Sequence, residues 1–151
     1  MPDDQQKGNK SMSMTSHFQE LDAPLANSMW SWGAVREADK TVFLRVWQAG
    51  TKKYPELENK YYTWVIDADG SDQSLGANER RKHLQLIEQG YTVYMIMCQE
   101  WDDDESRPKQ GSVKDFNDDE LFLGGKLVEY RGNILLEHAK RVPFRDGRLK
   151  S

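Results

Sequence analysis

The side chains in this sequence best suited to chemistry are aromatic and cationic rather than nucleophilic. Trp30, Trp32, Trp47 and Trp64 lie close together in the chain. Tyr62 shares a strand face with Trp64, and Phe43 with Trp47, because side chains alternate along a strand. Large aromatics often fill a core. Here Val42, Leu44, Val46, Val93 and Leu127 already supply an aliphatic face. That leaves part of the aromatic face to line a pocket. Aromatic walls with a few polar groups hold a flat heterocycle, such as a base taken out of its stack. Arg45 and Arg80 would supply the polar contacts there, while Arg81, Lys82, Lys140 and Arg141 would meet phosphates.

Arg80 stands out on its helix. At about 100° per residue, Leu84, Ile87 and Ala77 define an apolar stripe, with Arg80 at its centre and His83 at its edge. A cation on a buried face must find a partner. Two partners fit. One is a carboxylate, for which Asp67 and Asp69 are the candidates. The other is a ligand, whose phosphate or base edge the guanidinium fork could grip bidentately.

Catalytic patterns are sparse. Asp67, Asp69 and His83 are the residues an enzyme would use here, as acid–base or metal groups beside Arg80. Asp67-Ala-Asp-Gly70 is also ordinary turn chemistry. No nucleophile elbow, phosphate loop or dinucleotide fingerprint occurs. Cys98 lies inside an apolar strand and reads as an inert core thiol. The residues therefore imply no cofactor and no metal site.

The elements that must position these groups can be read along the chain. Residues 1–28 are polar and aperiodic and read as a disordered N-terminal tail. A globular domain is expected over 29–144, with a basic C-terminal tail over 145–151. Strands are expected at Met29–Val35, with Trp30 and Trp32 on one face, at Thr41–Gln48 and at Tyr61–Asp67. Residues 49–60 read as loop. A helix over Ala77–Gln89 is stopped by Gly90. The apolar run within Tyr91–Gln99 predicts a central strand covered on both faces. Ser112–Phe116 reads as a short edge strand. Leu121–Tyr130 and Ile134–Val142 form a hairpin around Arg131-Gly132-Asn133, with a bulge or bend at Gly124-Gly125. The fold class is α+β: a curled, mostly antiparallel sheet or small barrel of about six or seven strands with one main helix.

Charge limits the partners. The chain has 151 residues and a net charge of −4. Residues 101–120 carry three basic and eight acidic side chains, including the knot Asp102–Glu105, whereas 121–151 carry seven and three. Any anionic ligand must therefore meet local arginines and lysines rather than a general field. The single cysteine excludes an internal disulfide, the first residues do not resemble a signal peptide, and no apolar run suits a membrane helix. A cytoplasmic location without membrane attachment fits this composition.

Trp30-Ser-Trp-Gly33, the strand carrying Trp47, the arginine-bearing helix and the late bent hairpin together resemble a PUA-like small barrel. That superfamily includes EVE, YTH and SRA-type domains, which read RNA or modified DNA bases in an aromatic pocket. Phe43–Trp47, Glu79–Leu84 and Phe122–Gly125 are also similar to segments of small bacterial proteins. The resemblance implies a reader with Trp30, Trp32, Arg45, Trp47, Tyr62, Trp64, Arg80 and His83 at the ligand. Three functions follow as expectations. The first is a non-catalytic module that binds nucleic acid or a nucleotide-like ligand. The second is a small enzyme acting on a nucleotide-like molecule through Asp67, Asp69 and His83. The third is an accessory protein-interaction domain of a bacterial mobile element, with a protein partner or a second copy of itself.

Overall fold

A computed structural model describes residues 13–99, 115–145 and 148–149. The acidic knot at 102–105, residues 112–114 of the expected edge strand, and Lys150 lie outside the described residues. The chain runs through α1 (Met14–Glu20), β1 (Gly33–Arg36), β2 (Thr41–Trp47), β3 (Thr51–Tyr54) and β4 (Lys60–Asp67). It continues through α2 (Leu75–Glu88), β5 (Thr92–Gln99), β6 (Asp115–Phe116), β7 (Glu120–Tyr130), β8 (Asn133–Arg145) and β9 (Arg148–Leu149).

The strands form a mixed sheet in the order β1-β2-β5-β7-β8-β4-β3, with β6 beside β5 and β9 beside β8. Among the described residues only β2 and β5 pair in parallel, from Thr41 opposite Thr92 to Trp47 opposite Cys98. The α+β class and the mostly antiparallel pairing agree with the sequence reading. The strand count does not, because residues 51–54 pair with β4 instead of forming loop and a two-residue strand joins at β9; β6 falls within the expected edge strand at 112–116. Nor does the sheet close into a barrel: among the described residues β1 and β3 remain its free edges.

Alternation divides β2 as expected. Val42, Leu44 and Val46 join Val93, Met95, Phe122 and Leu136 in one core, which Ala77 and Leu84 of α2 cover. Phe43, Ile96 and Cys98 belong to a second core on the other face. β5 is therefore buried on both sides, as its apolar run predicted.

The second core is filled from an unexpected quarter. Ser13 caps α1 by accepting from the Ser16 amide at 3.1 Å. His17, Phe18, Leu21 and Ala23 are then buried, and Arg36 Nη1 donates to the Leu21 carbonyl at 2.6 Å. The expectation of a disordered tail through residue 28 fails over residues 13–28. The average polarity of that stretch hides four closely spaced residues that cover Phe43, Phe116 and Phe144. At the other end β8 continues to Arg145 and pairs with Arg148–Leu149, so backbone pairing extends into the expected C-terminal tail.

Turns and bulges follow the sequence more closely. Arg131 and Gly132 have φ of 50° and 81°, the left-handed pair that a two-residue hairpin turn requires. Register shifts at Gly124 bend the hairpin. A Cβ on Gly124 would lie 2.7 Å from Val93 Cγ1 and 2.9 Å from Leu136 Cδ2, so this bend sits against the core.

Arg80 resolves how an unclosed sheet is held. β2 and β4 approach each other without pairing. A bulge in β4 between Trp64 and Ile66 interrupts its ladder at Val65. From α2, Arg80 donates through Nη1 to the Val65 carbonyl at 2.8 Å, and through Nη2 to the Arg45 and Trp32 carbonyls at 2.6 and 2.9 Å. The expected ion pair with Asp67 or Asp69 is absent. Both carboxylates are exposed, and main-chain oxygens engage both Nη groups instead, leaving the buried Nε without a partner. One side chain thus stitches the seam that backbone pairing leaves open.

Candidate functional site

The N-terminal approach to β1 differs from the expected strand. Glu79 of α2 accepts from the Trp32 amide and the Ser31 hydroxyl, each at 2.8 Å. These bonds hold residues 31–32 against the helix, and strand pairing begins only at Gly33. Trp30 and Trp32 therefore do not share a strand face. They are carried on a turn and an extended segment beside the start of α2.

That placement brings the tryptophans together. Trp30, Trp32, Trp47 and Trp64 line one cavity of about 520 Å³, along with Arg45 and Arg80. All four tryptophans are half-buried, and Trp32 and Trp47 also pack against the first and second cores. Trp64 is fixed by its Nε1–H donating to Asp67 Oδ1 at 3.0 Å. Trp32 packs on Gly76 so closely that a Cβ there would fall inside the indole. The Arg80 guanidinium lies 5.5 Å from the Trp32 ring centre, within cation–π range.

The two arginines play different parts. Arg80 is 2% exposed and its Nη groups are engaged by carbonyls, so it builds the cavity more than it offers a ligand contact. Burial, followed by the like charge of Arg45, lowers its pKa to about 10, which keeps it cationic at neutral pH. Arg45 donates from Nη1 to the Ser31 carbonyl at 2.8 Å. Its buried Nε has no partner, and no carboxylate lies within ion-pair distance of either arginine among the described residues. That Nε, like the Nε of Arg80, is sealed from solvent, so any ligand contact from Arg45 falls to its Nη groups. Cys98 also borders this cavity; burial pushes its thiol up to about 11, which suits the inert role expected of it.

Other expected ligand contacts lie elsewhere. Tyr62 is 1% exposed and packs edge-on against Tyr54, away from the cavity. His83 is buried beneath α2. Burial, with Arg80 nearby, lowers its pKa to about 4, so it is neutral and contributes no wall. Arg81 is occupied by Asn78 Oδ1 and the Asp72 carbonyl, and Lys82 is exposed on the helix. Asp67 and Asp69 serve Trp64 and Ser71 and share no cavity with His83. Among the described residues no group of three or more His, Cys, Asp or Glu side chains could hold a metal ion.

Lys140 and Arg141 border a separate, larger cavity of about 890 Å³. Its floor contains His138, which sequence reasoning missed. The available signal was a polar residue two positions after Leu136, in step with the buried face of β8 and opposite Gly124. Compared with protein-family models, curated proteins and solved structures, the chain matches none.

Proposed function

We propose that the chain is a non-catalytic binding module that holds a flat, nucleobase-like ring in the tryptophan cavity. The carrying observation is the convergence of four half-buried indoles on one 520 Å³ space whose cations lack carboxylate partners among the described residues. A volume of that order accommodates a nucleoside, given the range of about 300–1,000 Å³ for small-molecule pockets. Indole walls supply stacking, worth about 1–3 kcal/mol per base. The Nη side of the Arg45 guanidinium, which lines the cavity, supplies a donor to a carbonyl, a ring nitrogen or an adjoining phosphate. Reading a modified base is the role implied by the PUA-like resemblance, and added methyl groups on such a ring would meet apolar walls.

Tryptophan fluorescence tests this directly. Titration with methylated and unmodified nucleosides and short oligonucleotides at low salt is expected to quench emission saturably. Trp47→Ala is expected to weaken binding at least tenfold, consistent with loss of one stacking wall. A flat titration with every base offered would overturn the reading.

The protein-interaction reading draws on a different observation. Met29 and Leu75, at the rim of the same cavity, are 78% and 60% exposed. Sizing at rising concentration separates the two: self-association lost in Met29→Ser, without base binding, would favour an interaction surface. The enzymatic reading has no comparable support, because its three named residues do not converge.

A further inference from the structure

The larger cavity has a polar floor whose hydrogens can be assigned. Thr51 Oγ1 lies 3.1 Å from the Trp47 carbonyl and 2.8 Å from Thr63 Oγ1, which in turn lies 2.5 Å from His138 Nε2. Thr51 has one hydrogen and two acceptor-only neighbours, the Trp47 carbonyl and Met97 Sδ at 3.7 Å; the carbonyl is the stronger acceptor, and with either one Thr51 can only accept from Thr63. Thr63 must then spend its own hydrogen on Thr51 and can only accept from His138. The ring hydrogen of a neutral His138 therefore sits on Nε2, and Nδ1 carries a lone pair. Burial and the nearby Arg141 lower the His138 pKa, favouring that neutral form. Nδ1 has no partner among the described residues, and it is not one of the sealed polar atoms.

Cations stand beside this acceptor. Arg141 lies over the Phe122 ring at 5.3 Å and is 70% exposed, with Glu120 only loosely placed at 3.7 Å. Lys140 has no ion pair among the described residues, whereas Lys60 is committed to Glu58 and Glu137. Tyr61, 54% exposed, forms an aromatic side of the same cavity. An acceptor on the floor asks for a hydroxyl or N–H; the Asp115 carboxylate also lines the cavity, so an anion is expected only where Lys140 and Arg141 stand together.

We infer that this cavity is a second binding site, one that takes a phosphomonoester on a hydroxyl-bearing body such as a ribose 5-phosphate unit. The phosphate is held by Lys140 and Arg141, and a sugar hydroxyl donates to His138 Nδ1. Two sources share this chemistry: a free nucleotide-like molecule and the 5′-phosphorylated end of a nucleic-acid strand. The site is independent of the tryptophan cavity, and a base-free ligand separates the two.

The test follows the ring nitrogen resonances of His138 by NMR, with affinities from calorimetry, on the full chain. Ribose 5-phosphate is expected to shift both nitrogens saturably, and ribose alone is not. The double substitution Lys140→Gln/Arg141→Gln, at exposed positions, should weaken binding at least tenfold, while Lys82→Gln, an exposed helix position that lines neither cavity, leaves it unchanged. A 5′-phosphorylated tetranucleotide is compared with its 5′-hydroxyl counterpart. Preference for the phosphorylated strand over ribose 5-phosphate assigns a nucleic-acid end, and the reverse assigns a free ligand. No shift with either phosphate probe overturns the proposal. So does an equal response to ribose, or undiminished binding by the double variant.

Discussion

Arg80 on α2 donates to the main-chain carbonyl of Val65 on β4 at 2.8 Å, across a seam where the sheet does not pair. The same guanidinium reaches the Arg45 carbonyl on β2, so a helix side chain replaces the ladder that would have closed a barrel. Arg80→Lys retains the charge but cannot span three separated carbonyls. Stability is expected to fall by about 3 kcal/mol, read as a lower urea midpoint. A midpoint equal to wild type would mean that packing alone holds the seam.

Gly76 offers a test of sign. Alanine inside a helix ordinarily gains about 1 kcal/mol over glycine. At Gly76 the new methyl would occupy the space of the Trp32 indole. Gly76→Ala is therefore expected to destabilise by about 1–3 kcal/mol, as overpacking does, and to change tryptophan emission. A thermal melt that rises would show that the indole can step aside freely.

The N-terminal helix makes a third prediction. Phe18 is fully buried in the second core. Phe18→Ala should cost about 3–5 kcal/mol by removing a core aromatic. A residue in a loose tail would show no change in chemical denaturation, so the measurement separates the two descriptions.

His83 links stability to acidity. Burial first, then Arg80, holds its folded pKa down to about 4, while the unfolded chain titrates near the ordinary value of about 6.5. Below that ordinary value the unfolded chain gains a proton that the folded chain refuses. Stability therefore falls as pH drops through this window, by about 3 kcal/mol across it, and the effect is absent above it. His138 is lowered in the same direction and adds to the slope. Urea titrations at about pH 7 and about pH 4.5 should show a shallower acid loss in His83→Gln than in wild type. Equal slopes would remove His83 from the account.

Much of this arrangement was readable because it depends on local pattern. The alternation in Thr41–Trp47 gave both faces of β2, and Gly90 and Arg131-Gly132 marked a helix end and a turn by backbone chemistry. The gathering of four tryptophans was legible as composition, but its geometry was not. Trp30 and Trp32 owe their positions to Glu79, a partner 47 residues from Trp32 along the chain. Arg80 signalled correctly that it needed partners. Main-chain carbonyls carry no letter in a sequence, so carboxylates were named instead. The same blindness hid the Thr51–Thr63–His138 relay, whose members are distant in the chain and meet because β3 pairs with β4 and β4 with β8. Phe18, Leu21 and Ala23 were lost in the average polarity of their surroundings.

Leaving the sheet open has a cost beyond the seam itself. Each free edge presents unpaired backbone groups that can template the strand of another molecule, the route by which sheet proteins aggregate. Here both edges are four-residue strands, too short to offer a long template. The β3 edge also carries Lys52 and Lys53, both exposed. A second copy approaching that edge brings the same two charges against its own. The chain can thus keep an unclosed sheet while guarding the exposed ladder by shortness and like-charge repulsion.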